Sequence, residues 1–276
     1  MIFQDPMTSL NPIMKVGDQI CEVLRRHLGL DRREARQRAI ELITSVGIPD
    51  ATTRVNDYPV TFSGGMRQRI MIALALAGEP QVVLADEITT SLDVTVQAQV
   101  LDVLRGTAAE RGTSFILITH DLGIVAGMTQ RVHVMYAGQI VEKAKTSDLF
   151  ANPRMPYTWG LLRSVPRLGR PSARRLSPIP GMPPRLAHLP RGCRFEPRCP
   201  YSREICRQKV PELAPLPGLA SDHEARCWGT QDVPDGGWLI DVDGRWRSSE
   251  DGAETTPTDP LRLRRRRANS LDPPTG

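Results

Sequence analysis

Two short apolar runs, Gln81-Val82-Val83-Leu84-Ala85 and Ser114-Phe115-Ile116-Leu117-Ile118, flank a helical stretch from Val94 to about Arg111. That order is a βαβ unit, which confines the fold to the α/β class with a parallel sheet. Neither run alternates apolar with polar residues, as expected of strands covered by helices on both faces. Ahead of the unit, Lys15 to about Gly47 is helical in pattern. Within it Asp31-x-x-Glu34 predicts a capping box, and Ala35, Ala39, Leu42, Ile43 and Val46 form the apolar stripe. Asp50 to Thr61 is polar and punctuated by proline, so a loop is expected there, leading into a second helix from about Ser63 to Ala77. Behind the unit, Arg131 to Tyr136 and Gln139 to Glu142 flank Ala137-Gly138 and predict a hairpin.

Chemistry enters where the first strand ends. Asp86-Glu87 lies at the carboxyl edge of a parallel strand, where α/β sheets bind ligands. There an aspartate can hold Mg²⁺ and a glutamate can polarise an attacking water. By itself such a pair is more often a solvated turn. Ser63-Gly64-Gly65 opens a helix, and glycines there let backbone N–H groups approach a phosphate at the positive helix end. The plainer reading is an N-cap with flexible glycines.

The order of motifs separates these readings. Phe62-Ser63-Gly64-Gly65-Met66-Arg67-Gln68-Arg69 resembles the signature motif of the ATP-binding cassette (ABC) family, and Val82 to Glu87 resembles its Walker B strand. Ser91-Leu92-Asp93 resembles the D-loop, His120 the switch histidine, and Gln4 the Q-loop glutamine, all in the family's order. Met1 to about Trp228 is similar to the subunits that energise bacterial dipeptide and oligopeptide importers. The resemblance implies an α/β, P-loop NTPase-type nucleotide-binding domain. Asp86 would bind Mg²⁺ beside ATP, Glu87, His120 and Gln4 would be catalytic, and Ser63, Gly64, Gly65, Met66, Arg67 and Gln68 would be the ATP signature. The implied partners are a second ATPase subunit paired head to tail, two transmembrane permease subunits, and a periplasmic or extracellular peptide-binding protein. Gln4 would sense the permeases and His120 would contact the γ-phosphate. Phe62 and Ile88 depart from the family's leucine and proline at those positions, so altered packing or loop stiffness is expected there.

One motif is missing. No G-x-x-x-x-G-K-[ST] occurs, because none of the four lysines follows a glycine. In the family this phosphate loop precedes the Q-loop, so the domain is expected to lack its N-terminal part, through a misassigned start or a truncated gene. Alternatively the chain is a degenerate subunit that contributes Ser63 and Gly65 to a partner's ATP. Hydrolysis by the chain alone is not expected without the N–H cradle and its lysine. A missing strand beside the Asp86 strand would also leave backbone groups unpaired and promote aggregation.

After Pro153 prolines recur and helical periodicity fades, which predicts a partial cassette over 1–150, a C-terminal transporter domain over 151–228, and a disordered tail over 229–276. Cys193, Cys199, Cys206 and Cys227 lie in that proline- and arginine-rich domain, which needs a staple in place of a large core. Four thiolates on irregular loops suit a [4Fe–4S] cluster, as occurs in some members of the peptide-importer family. Zinc, or unligated buried thiols, are the alternatives, and His223 is a candidate to replace one cysteine. Cys21, on an early helix, is expected to be a small core residue. The N-terminus lacks the basic flank and apolar run of a secretory signal, and no apolar run approaches the roughly 18 residues of a spanning helix. The expected location is therefore cytoplasmic, peripheral on the inner face of the membrane. The net charge of +5 with pI near 9.2 comes with 36 basic residues of which four are lysine, a balance that coding bias explains; no nucleic-acid partner is expected. A DNA-repair ATPase would need a coiled-coil or zinc insertion between Gln4 and Ser63, and there is none.

Overall fold

The structure, a computed structural model, describes residues 1–5, 9–89, 92, 94–164, 178–215, 222–231, 238–240 and 246–248. The chain divides into two compact units, Met1–Met128 and Thr129–Gly276.

The first unit is built on strands β1 (Val82–Asp86) and β2 (Ser114–Ile118), joined through the helix Val94–Arg111. They pair in parallel, Val82 opposite Ser114 and Asp86 opposite Ile118. Helices Val16–Leu28, Arg32–Ser45 and Gly64–Leu76 pack together, and their apolar stripes meet in one core with Val83 and Ala85. The capping box forms as expected: the Asp31 carboxylate accepts from the backbone N–H of Arg33 and Glu34, and the Glu34 side chain reaches back to the Asp31 N–H. The segment expected as a loop holds a helical turn, Ala51–Arg54, and a 3₁₀ turn, Pro59–Thr61. It is tied to the first helix because the N–H groups of Val16 and Gly17 donate to the carbonyls of Asp57 and Val55. The two family departures are packing residues, since Phe62 and Ile88 are both buried in this core.

Two expectations about the sheet need correction. Helices cover one face only among the described residues: Val83 and Ala85 are buried, whereas Val82, Leu84, Ile116 and Ile118 are 39–53% exposed. The absence of alternation in both strands reflects their composition and not two-sided burial. Nor is the Asp86 strand left with an open edge. The N–H of Ile2 donates to the Leu84 carbonyl (2.7 Å), and the N–H of Asp86 donates to the Ile2 carbonyl (3.0 Å). With β2 along its other side, β1 is thus met on the second edge at its carboxyl end by this single bridge.

The second unit opens with the hairpin β3 (Arg131–Tyr136) and β4 (Gln139–Lys145). Ala137 and Gly138 both have positive φ, 47° and 78°, as a two-residue turn matching the strand twist requires. β4 continues past Glu142 because it pairs with β6 (Glu224–Ala225), which in turn pairs with β5 (Ala214–Pro215). These pairings place the hairpin with the second compact unit, Thr129–Gly276. The helix Pro156–Ser164 carries Tyr157, which meets Tyr136 and Phe195 with ring centroids 4.6 and 5.4 Å away. The expected tail falls mostly outside the described residues; within it β7 (Trp238–Ile240) and β8 (Trp246–Ser248) pair antiparallel.

Candidate functional site

Ile2 is fully buried as a parallel bridge beside β1, which sets the next residues at the carboxyl ends of the strands. From there Gln4 Nε2 donates to Glu87 Oε2 at 2.8 Å. Glu87 follows the last residue of β1, and its N–H donates to the Ile118 carbonyl at 2.9 Å. Its φ of 46° lies in the left-handed region, a conformation that costs a non-glycine residue about 1–3 kcal/mol and recurs at functional sites. His120, two residues beyond β2, brings Nδ1 within 3.3 Å of Glu87 Oε1, the tautomer deciding which atom carries the proton. The helix Leu122–Met128 behind it is capped by Asp121, whose Oδ1 accepts from Gly123 at 2.7 Å and Ile124 at 3.3 Å. Gln4, Glu87 and His120 thus converge on one carboxylate, with Asp86 closing β1 beside them. Gln4 and His120 are solvent-exposed, so the group is reachable.

The signature residues divide by role. Ser63 is the N-cap of the helix Gly64–Leu76, its Oγ accepting from the Met66 N–H at 3.3 Å. Gly64 has open space where a Cβ would stand, whereas a Cβ on Gly65 would come within 3.1 Å of Val96. The second glycine therefore also answers a packing demand. Arg67 clamps the preceding turn, Nε to the Pro59 carbonyl (2.7 Å) and Nη2 to that of Val60 (3.0 Å). Gln68 points inward, buried, with no hydrogen-bond partner for Nε2 among the described residues. Ser91 and Asp93 lie outside the described residues.

In the second unit Cys193, Cys199, Cys206 and Cys227 line one small pocket, shared with Phe195, Arg203 and Trp228. All four are free thiols. Sequence separates them widely, and backbone contacts close the gap: the Cys193 N–H donates to the Cys206 carbonyl at 2.8 Å. Gly192 makes that approach possible, since a Cβ there would stand 2.2 Å from the Cys206 carbonyl oxygen. Burial pushes the Cys193 thiol up, the Cys199 thiol well up, and the Cys227 thiol up to about 12. A backbone N–H opposes this at each sulfur, from Phe195 at Cys193, Tyr201 at Cys199 and Gly229 at Cys227, always two residues on. That repeated donor is what a buried thiolate requires.

Two expectations about this pocket change. Among the described residues no group of three or more His, Cys, Asp or Glu is placed to hold a metal, so the structure does not support the expected metal-binding C-terminal domain, whether iron–sulfur or zinc. His223 is not among the residues that line the pocket. Its Nε2 lies 2.8 Å from Glu142 Oε1, and both side chains are buried. Glu142 also accepts from the N–H groups of Arg154 (2.6 Å) and Met155 (3.0 Å), which fixes the turn bearing Met155, itself a wall of the cysteine pocket. Sequence reasoning missed Glu142; its one signal was a carboxylate inside the strand pattern Ile140-Val141-Glu142, where an alternating reading puts it on a solvent face.

Comparison with known proteins matches these two regions separately. Residues 1–90 match the family described as ABC transporter, and residues 141–206 match the oligopeptide/dipeptide transporter C-terminal region. A peptide import ATP-binding protein of Brucella melitensis is 51% identical over 238 residues, covering 84% of this chain and 70% of that protein. The oligopeptide transport ATP-binding protein OppD of Salmonella typhimurium is 52% identical over 218 residues, covering 79% of this chain and 65% of its own. OppD of Bacillus subtilis is 50% identical over 228 residues, covering 83% and 63%. The first unit accordingly has the α/β fold of an ABC ATPase cassette. At 51% identity to a relative over 70% of that relative's length, the chain belongs to the ABC transporter ATP-binding proteins, in their oligopeptide/dipeptide transporter branch.

Proposed function

We propose that this chain is an ATP-driven motor subunit for the import of di- or oligopeptides. The observation that carries the reading is the convergence of Gln4 and His120 on the two oxygens of Glu87 at the carboxyl edge of the sheet. The family implies ATP and Mg²⁺. Of the residues present, Asp86 at the end of β1 would hold Mg²⁺, and Ser63 with Gly64 would offer an exposed helix start to a phosphate. Glu87 accepts hydrogen bonds at both oxygens, so its carboxylate is oriented to take a proton from a water poised beyond the strand ends. Gln4 holds one oxygen, which couples the carboxylate to the segment that carries Gln4. His120 gives the site a second group able to donate. No G-x-x-x-x-G-K-[ST] occurs in these 276 residues, so they hold no lysine phosphate loop of their own. Head-to-tail pairing with a second cassette, two permeases and a peptide-binding protein completes the system. No helix among the described residues is long and apolar enough to cross a membrane, which suits a subunit docked on permeases at the inner face.

The cysteine pocket belongs to the same reading as the site of a [4Fe–4S] cluster. Four thiols around one cavity, three with an N–H directed at the sulfur, match the donor set of such a cluster. Zinc would need four sulfurs drawn in tetrahedrally, each about 2.3 Å from one point. The cluster's role here is to join loops that have few apolar contacts of their own.

The test is ATP turnover by the chain alone and mixed with a companion cassette subunit bearing a phosphate loop. Turnover should need the companion, and Glu87→Gln should lower it by about 10²-fold or more, the contribution typical of a positioned base. Hydrolysis by the chain alone at the mixed rate, or indifference to Glu87→Gln, overturns the reading.

A further inference from the structure

Between Asp148 and Glu196 the sequence carries nine arginines and no acidic residue. Within that stretch lies a proline-rich loop, residues 178–192, which the structure holds at both ends. At its start Arg198 clamps the backbone, Nε donating to the Pro180 carbonyl at 3.0 Å and Nη2 to that of Ile179 at 3.1 Å. Ile179 also packs closely on the helix Pro156–Ser164, since a Cβ on Gly160 would come within 2.9 Å of it. At the end of the loop Gly192 lies against the Cys206 carbonyl. Between these anchors the chain turns at Arg185–His188, the His188 N–H donating to the Arg185 carbonyl at 2.8 Å.

What the anchored loop presents is apolar and cationic together. Met182 is 85% exposed and Leu186 70%, and Arg185 and Arg191 are exposed as well. Elsewhere in this unit cations meet carboxylates, Arg131 with Asp222, Lys143 with Glu224, and Arg207 with Glu196 and Glu204, whereas Arg185 and Arg191 have no carboxylate within 4 Å among the described residues. A bare leucine alone is ordinary surface, and an arginine alone is solvated. Membrane attachment takes both signals, apolar side chains that enter the interface and cations that meet phosphate headgroups. A nucleic acid would engage the arginines and leave Met182 and Leu186 in water. We propose that the loop 178–192 rests on a bilayer carrying anionic headgroups, with Arg185 and Arg191 on the phosphates and Met182 and Leu186 in the interface. The proposal goes beyond the nucleotide site. It draws on the functional reading above only for the nearness of a membrane, and its test needs neither ATP nor a companion subunit.

The experiment sediments the full chain with vesicles of phosphatidylglycerol and phosphatidylcholine, and with vesicles of phosphatidylcholine alone. Wild type is compared with Arg185→Gln/Arg191→Gln, with Met182→Ser/Leu186→Ser, and with a variant in which Arg262 and Arg264 to Arg267 of the tail are glutamine; circular dichroism verifies that each is folded. Wild type should bind the anionic vesicles and not the neutral ones, and raising salt from about 0.1 M to about 1 M should release it as the Debye length falls from about 10 to about 3 Å. The arginine pair should lower partitioning by about 25-fold, roughly fivefold for each charge. The apolar pair should lower it by about tenfold, the effect of withdrawing two large side chains from the interface. The tail variant should stay close to wild type. Absence of binding to anionic vesicles overturns the proposal, as does binding that is lost in the tail variant and kept in both loop variants. Full binding by Met182→Ser/Leu186→Ser overturns it too, because the surface would then be a plain cationic one that suits an acidic peptide or a nucleic acid. None of these outcomes bears on ATP turnover, so the functional reading stands or falls separately.

Discussion

Replacing Glu142 by alanine should unfold the second unit selectively. The carboxylate is buried and accepts three hydrogen bonds, from the Arg154 N–H at 2.6 Å, the Met155 N–H at 3.0 Å and the His223 imidazole at 2.8 Å. Truncation strands all three donors away from water. Each buried unsatisfied donor costs about 1–3 kcal/mol, and removing one partner of a buried pair costs about 3–5 kcal/mol, so a loss of about 4 kcal/mol is expected. Against a typical total of about 5–15 kcal/mol this is a large fraction. The chain reports the effect cleanly, because its four tryptophans, Trp159, Trp228, Trp238 and Trp246, all lie in the second unit. Urea unfolding followed by tryptophan fluorescence, with a slope of about 2 kcal/mol/M, should show the midpoint falling by about 2 M. Glu142→Gln keeps the shape and one acceptor and should lose about half as much. Combining His223→Ala with Glu142→Ala should cost less than the sum of the two, by about 0.5–3 kcal/mol, since the partners share one network. A Glu142→Ala midpoint within about 0.5 M of wild type would refute the reasoning, because it would mean that water reaches these donors.

Three further outcomes follow from other parts of the structure. Gly192→Ala places a methyl 2.2 Å from the Cys206 carbonyl oxygen and 2.7 Å from the Arg207 backbone, so it should destabilise the second unit by about 1–3 kcal/mol, read by the same fluorescence. Asp31→Ala removes a cap that serves two N–H groups and should cost the first unit about 0.5–2 kcal/mol in unfolding followed by circular dichroism, with the tryptophan signal unmoved. In the cofactor-free chain, alkali should weaken the second unit. The thiols of Cys193, Cys199 and Cys227 are raised by burial, the last to about 12, so the unfolded chain loses these protons first. Stability is full below about pH 8.5 and falls as pH climbs toward the folded value; a urea midpoint that rises between about pH 8 and pH 10.5 contradicts the assignment.

Much of the first unit was legible because its signals are local. Asp31 and Glu34 are three residues apart, the apolar stripe from Ala35 to Val46 has helical period, and Ser63 precedes two glycines, so each could be read without knowing what it packs against. The order of motifs identified the family for the same reason. Where the sheet was misread, the information was not local. Val82 and Leu84 are as apolar as Val83 and Ala85, and only the arrangement of helices leaves the first pair exposed and buries the second. Likewise nothing near Ile2 says that it pairs with Leu84 and Asp86.

The sequence by itself determined the α/β unit, its helix starts, the acidic pair at a strand end and the presence of four late cysteines. Tertiary structure alone decided what those residues meet. Gln4 reaches Glu87 across 83 positions because a buried isoleucine pairs with a strand edge. Cys193 and Cys206 share a pocket because a glycine lets two backbones touch, and His223 is taken by Glu142 because β4 pairs with β6. Short-range propensity follows from a residue and its neighbours, whereas register and burial depend on the whole chain closing at once, and the chemistry lies in the second.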